Sequence, residues 1–277
     1  MIIVFSDIDG TLLARKSHTF APVMDYITSL RQTATIILAT SKTIRETQLI
    51  CDELGLDTPC IAENGGIVSI PHSWERYVKQ SAAVWVPHAT GWYTHNGIPH
   101  ATLIDFLSSP LYKGNVRLFS QMSDDDLDTL TGLRGDRLSA ARERYASEPF
   151  LCDDQTTMHK ILHDARMNDL TIQRGGIFYH CMHKNQNKSE GVTQILQMIR
   201  ASASENIHTI ALGDAPNDFA MMKMVEYPVL IPHQGHPYAI DIPNVRFAPF
   251  TAPTGWIDAM KQIIAELAVN ESGKESV

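Results

Sequence analysis

Along the chain, short unbroken apolar runs alternate with stretches whose apolar positions recur at helical spacing. The runs lie at residues 2–5, 36–38, 59–62, 209–212 and 229–231, the last taken as the final core strand. Runs without a polar alternate suit parallel strands buried on both faces. Between them the pattern predicts a helix from Pro22 to about Leu30, with Val23, Ile27 and Leu30 on one face. A second helix runs from Ile44 to about Leu54, closed by Gly55 and capped by Thr43 or Ser41. A third covers 189–200 with Val192, Ile195, Leu196 and Ile199 as its stripe, a short one follows at 219–224, and an amphipathic helix over 255–269 precedes a frayed polar tail at 270–277. Strands alternating with helices in this way make a doubly wound α/β sheet with helices on both faces.

From about Ala83 the texture changes. Expected here are short strands at 116–120, 170–173 and 177–182 and helices at 124–131 (Ser123 cap, acidic first turn), 137–145 and 155–168. This stretch reads as an α+β module inserted into the first domain, which places residues 1–83 and 188–277 in a core and 84–187 in the insertion.

The polar residues at the strand ends carry the chemistry. The first run stops at Ser6-Asp7-Ile8-Asp9-Gly10-Thr11, the second at Thr40-Ser41-Lys42-Thr43, the third at Glu63-Asn64-Gly65-Gly66, and the fourth at Gly213-Asp214-Ala215-Pro216-Asn217-Asp218. Ligands bind at the carboxyl edge of such sheets. Alone, Asp-x-Asp-Gly reads equally as an acidic turn, Asn-Gly as a hairpin turn, and Thr43 as a helix cap. Together the strand ends hold the parts needed to hydrolyse a phosphate monoester. In that reading Asp7 is the nucleophile and Asp9 the proton donor and later the base, while Thr40 and Lys188 hold the phosphoryl oxygens. Mg²⁺ suits the oxygen donors of Asp7, the Asp9 main-chain carbonyl and Asp214, with Asp218 in support.

Composition narrows the partners. A net charge of −8 over 277 residues argues against a general nucleic-acid binder, and 44% apolar residues suffice for a core. No stretch resembles a membrane span, and the N-terminal apolar run is too short for a signal peptide, so the cytoplasm is the expected location. Cys51, Cys60, Cys152 and Cys181 lack metal or redox spacing and read as reduced thiols. The twelve histidines are not read as a zinc site, and those at 88, 95, 100, 159 and 183 are assigned no role.

DIDGTLL, ATSKT, Lys188 and GDAPND resemble the four motifs of the haloacid dehalogenase superfamily, in that superfamily's order. The resemblance implies a Rossmann-like core, Mg²⁺ and an aspartyl-phosphate, with an inserted α/β cap between the second and third motifs. ENGG, Ser147–Phe150 and the Arg174–His180 motif further resemble mannosyl-3-phosphoglycerate phosphatases and their relatives. That likeness implies a small phosphorylated sugar-acid substrate. By the same likeness Lys42, Glu63, Asn64, Arg144, Ser147, Glu148, Arg174, Gly175, Gly176 and His180 become candidates for binding glycerate or sugar hydroxyls; Gly10, Ser41, Gly65, Gly66 and Asn217 join the set from their motifs. Family members usually carry Arg at the position of Ile177 and Gly at that of Ser189. A broader sugar-phosphate phosphatase or phosphomutase, and a non-catalytic phospholigand sensor, are the alternatives.

Overall fold

The structure is a computed structural model that describes all residues but 16, 18, 82, 203–205, 233–239 and 275–277. From the N-terminus run β1 (Ile2–Ser6), α1 (Ala21–Leu30), β2 (Ala34–Ala39), α2 (Ile44–Leu54), β3 (Cys60–Ala62), β4 (Ile67–Pro71), α3 (Glu75–Val78), β5 (Val86–His88) and β6 (Gly91–His95). Next come α4 (His100–Leu107), β7 (Val116–Leu118), α5 (Asp124–Thr131), α6 (Gly135–Arg142), β8 (Ser147–Cys152), α7 (Gln155–Met167), β9 (Leu170–Gly175) and β10 (Phe178–His183). The chain closes with α8 (Lys188–Arg200), β11 (His208–Gly213), α9 (Phe219–Met222), β12 (Tyr227–Leu230), β13 (Arg246–Phe247) and α10 (Thr254–Lys274).

Nine strands form one sheet in the order β13-β12-β11-β1-β2-β3-β4-β6-β5. β1 lies inside it, parallel to its neighbours β2 and β11. Its residues alternate between two cores. Val4 packs with Val23, Ile27 and Leu30 of α1 and with Trp256, Met260 and Ile263 of α10. Ile3 and Phe5 face Val192, Ile195, Leu196 and Ile199 of α8. Both faces are covered, which is why the strand reads as a continuous apolar run. Four further strands, β7-β8-β10-β9, make an antiparallel sheet with its own core around Leu103, Phe150, Ile161 and Cys181. Among the described residues no helix is long and apolar enough to cross a membrane.

The α/β reading holds, and so do the buried faces of α1 and α8 and the Thr43 cap, which forms a capping box with Glu46. Four expectations change. β5 and β6 join β4 in the large sheet, so residues 86–95 lie on the core side of the boundary drawn at residue 84. β8 adds a strand to the insertion: Pro149 argues against a central position there, yet the ladder to β7 begins only at Phe150, so the missing N–H breaks little. β12 is not the last strand of the core, since β13 follows and pairs with it. α10 continues through Lys274, past the expected end at 269, and residues 275–277 of the expected tail lie outside the described residues.

Candidate active site

Because β1 lies between β2 and β11, its end brings Asp7 beside Thr40 and Asp214. The backbone fixes them: Asp7 N–H donates to the Leu212 carbonyl at 3.0 Å and Thr40 N–H to the Ile61 carbonyl at 2.8 Å. Lys188, the first residue of α8, is fully buried and donates from Nζ to Asp7 Oδ1 and to Asp218 Oδ1, both at 2.6 Å. Asp218 Oδ2 in turn accepts from the main-chain N–H groups of Asp214 (3.0 Å) and Ala215 (3.1 Å), so this carboxylate braces the loop. Burial alone would push the Lys188 ammonium down, but Asp218 and Asp7 outweigh it and hold it above the ordinary lysine value. Burial raises the Asp7 carboxyl; Lys188 opposes the rise, and Asp218 and Asp9 add to it.

One oxygen each from Asp7, Asp214 and Asp218 lie within 4.8 Å of one another. All the donors are carboxylate oxygens, the chemistry a hard divalent cation requires. Asp9's carboxylate stands outside that group, half exposed and paired with Lys42 at 2.7 Å. Gly10 is required here: its φ is +95°, and a Cβ would fall 2.3 Å from Asp214 Oδ2. Two supports went unpredicted. Arg15 donates to Asp214 Oδ2 at 2.6 Å, and Trp256 donates at 2.9 Å to Ser6 Oγ, which donates to the Asp7 carbonyl at 2.7 Å. Arg15 lies in a stretch with no periodicity, and Trp256 sits 250 positions beyond Ser6 in a helix read only from its amphipathic pattern.

The β3–β4 turn reaches the same edge. Glu63, Asn64 and Gly65 all have left-handed φ, and Asn64 N–H donates to the Thr40 carbonyl at 2.8 Å. Asn217 donates to Asn64 Oδ1 at 3.3 Å, and Gly66 lies against Ala146 and Gln186. Arg144 donates to Ser147 Oγ at 3.0 Å and approaches the Ser41 carbonyl at 3.4 Å, joining the inserted unit to the second motif. The carboxylate of Glu63, expected at the substrate, instead accepts from Tyr145 N–H, Ala146 N–H and Ser147 Oγ.

Register separates the other candidates. In β8 and β10, Ser147 lies opposite Met182 and His180 opposite Pro149, on one face of the antiparallel sheet. Glu148 and Arg174 project from the other face, opposite Cys181 and Tyr179. There Glu148 accepts from Ser120 N–H and Oγ and pairs with His100 at 2.5 Å, a role not foreseen for that histidine. Arg174 stacks over Tyr179 in a groove shared with Met158 and Ile177. Glu148 and Arg174 thus lie on the face away from Ser147 and His180, and Gly176 sits in an exposed turn with no atom within 4 Å of a would-be Cβ. Gly175 stays beside His180.

Residues 4–86 and 144–237 match the haloacid dehalogenase-like hydrolase family. The chain belongs to that family. A glucosyl-3-phosphoglycerate/mannosyl-3-phosphoglycerate phosphatase of Persephonella marina is 28% identical over 271 residues, covering 96% of this chain and 98% of the relative. A phosphatase of the same name from Methanococcoides burtonii is 27% identical, covering 95% and 97%. Among solved structures, a sugar phosphatase of haloacid dehalogenase subclass IIB superposes with a TM-score of 0.63 at 17% identity, covering 95% of this chain and 99% of that one, a likeness of fold.

In this hydrolase His180 is the buried group most at odds with acid. Burial, then the neighbouring Arg144, push its imidazole down from the ordinary 6.5 to about 3. It is therefore neutral in the folded protein while the unfolded chain takes up a proton below 6.5, so the stability it supplies is present above that pH and is lost as pH falls toward 3. Each pH unit in that window is worth about 1.4 kcal/mol. Relative to His180→Asn, the wild type is expected to lose that much more stability per unit between pH 6 and 4, measured by urea unfolding. Parallel profiles would remove His180 from the acid response.

Proposed function

We propose that this hydrolase is a Mg²⁺-dependent phosphomonoesterase that works through an aspartyl-phosphate on Asp7 and takes glucosyl-3-phosphoglycerate or mannosyl-3-phosphoglycerate as substrate. The observation that carries the reading is the meeting of Asp7, Asp9, Thr40, Lys188 and Asp214 at adjacent strand ends. Asp7 Oδ2, which has no hydrogen-bond partner among the described residues, attacks phosphorus as the bond to the leaving alcohol breaks. Asp9 gives that oxygen its proton. Water then attacks the phosphoryl group, Asp9 takes the water's proton, and Asp7 is released. Lys188 has a third N–H to offer a phosphoryl oxygen beside the Thr40 hydroxyl. Asp7, the Asp9 carbonyl and Asp214 would hold Mg²⁺, with Asp218 behind them; bound there, the cation offsets the repulsion between phosphate and carboxylates.

The unit built on β7–β10 serves in this reading as the cap that selects the leaving group. Arg144 Nε and His180 Nδ1 are buried and have no hydrogen-bond partner among the described residues, and both belong to the cap. Arginine pairs with carboxylates, which suits a leaving group that carries one. The phosphoglycerate moiety named for the two relatives has that chemistry.

Phosphate release with Mg²⁺ from glucosyl-3-phosphoglycerate, mannosyl-3-phosphoglycerate, sucrose 6-phosphate, hexose phosphates and 3-phosphoglycerate tests the reading. A preference of about a hundredfold in kcat/KM for a glycosyl-phosphoglycerate is expected, or ~2.7 kcal/mol of transition-state discrimination. Comparable slow turnover of the whole panel would overturn the substrate, and no release from any member would overturn the phosphatase.

A further inference from the structure

We infer, given that the cap selects the leaving group, that Glu63 is a positioning residue that registers the cap on the core and thereby aims Arg144. Its side chain is completely buried, at the point where three segments cross: the end of β3, the start of β8, and the return of the chain into α8. Oε1 accepts from Tyr145 N–H at 2.9 Å, and Oε2 accepts from Ala146 N–H at 3.0 Å and from Ser147 Oγ at 2.6 Å. Three consecutive cap residues thus converge on one core carboxylate.

The main chain of the same residue is tied just as firmly. Glu63 N–H donates to the Lys42 carbonyl at 2.8 Å, and its carbonyl accepts from Gln186 Nε2 at 2.6 Å. The turn has little room to shift: Glu63 has a φ of 47°, Asn64 one of 54°, and a Cβ on Gly65 would fall 2.0 Å from the Asn187 carbonyl, next to Lys188. A side chain held in left-handed backbone keeps that conformation only when its surroundings fix it. What the clamp positions is Arg144. Ser147 Oγ, held by Glu63, accepts from Arg144 Nη1 at 3.0 Å, and the same nitrogen reaches the Ser41 carbonyl at 3.4 Å. The guanidinium is therefore located from both sides of the core–cap junction, through a carboxylate with three of about four acceptor sites already filled.

Glutamine is the informative replacement. It has nearly the same shape, but its amide nitrogen must face either Tyr145 N–H or the Ala146 and Ser147 donors, opposing donor with donor. In the full-length enzyme, Glu63→Gln is expected to lower the ratio of kcat/KM for glucosyl-3-phosphoglycerate to that for p-nitrophenyl phosphate at least tenfold, mainly through KM. Amide exchange at Tyr145 and Ala146 should accelerate at least tenfold. Ser147→Ala, which removes one donor of the three, should move both readouts the same way by less, and it decides the matter if Glu63→Gln does not fold. An equal loss on both substrates, or unchanged exchange at the two amides, overturns the assignment. A wild-type enzyme with no preference between the substrates would overturn the functional reading, and the exchange rates would still decide the clamp.

Discussion

Asp7→Asn is expected to lower kcat on any phosphomonoester by at least about 10⁴-fold, a barrier increase of ~5.5 kcal/mol, while the protein stays folded. The amide oxygen is a poor nucleophile and cannot form an acyl phosphate that water would later open. The geometry around it should survive. The substituted side chain can still accept from Lys188 through its amide oxygen, and Lys188 keeps Asp218 at 2.6 Å. Removing a buried carboxylate whose ionisation is opposed by burial also removes an unfavourable charge from the metal-free protein. Thermal unfolding in EDTA should therefore show the variant at or above wild-type stability, and Mg²⁺ should stabilise it less than it stabilises wild type. Acid quenching of a wild-type reaction should trap phosphate on the protein, and the variant should trap none. Turnover within tenfold of wild type would remove Asp7 as the nucleophile.

That prediction was within reach of the sequence because the core motifs sit where local rules are strong. A buried parallel strand announces itself by losing its polar alternate, and the first polar residue after it must lie at the sheet edge, so Asp7, Thr40 and Asp214 were placed by counting. The Thr43 cap was equally local, since Glu46 three residues on completes a capping box. In the inserted unit the same counting fails. Ser147 and Glu148 are neighbours in one motif, yet strand geometry sends them to opposite faces, one to the core junction and the other to His100 and Ser120. Arg174 is turned away from His180 for the same reason. Which face looks toward the core depends on how two sheets meet, and no single motif carries that. Glu63 reads as polar and well placed, but two of the three partners of its carboxylate are backbone N–H groups 82 and 83 positions away, and the third is the Ser147 hydroxyl. A main-chain donor leaves no residue type to read.

Lys188→Met is expected to cost more stability than any other single change at the site. The ammonium lies between Asp7 and Asp218 and is buried with them, so its loss leaves two carboxylates facing one another without a cation. Breaking a buried ion pair from one side costs about 3–5 kcal/mol, which for a chain of this size corresponds to a fall in Tm of roughly 10 °C. The sign of its pH dependence follows from the carboxylates. Without Lys188 the Asp7 carboxyl, which burial already raises, loses the cation that opposes the rise, so the folded protein favours its protonated form; the stability this confers is present at low pH and lost as pH rises through the raised value. The deficit against wild type should accordingly be small near pH 5 and widest near pH 8, measured in EDTA. His180 is common to both proteins, so its acid effect cancels from the difference. Mg²⁺ should recover part of the deficit at pH 8 by placing a cation among Asp7, Asp214 and Asp218, without recovering turnover, because the phosphoryl oxygens still lack their ammonium. A deficit of equal size at pH 5 and pH 8 would mean that Lys188 contributes packing rather than charge, and the buried pair with Asp7 and Asp218 would then not be what holds the strand ends together.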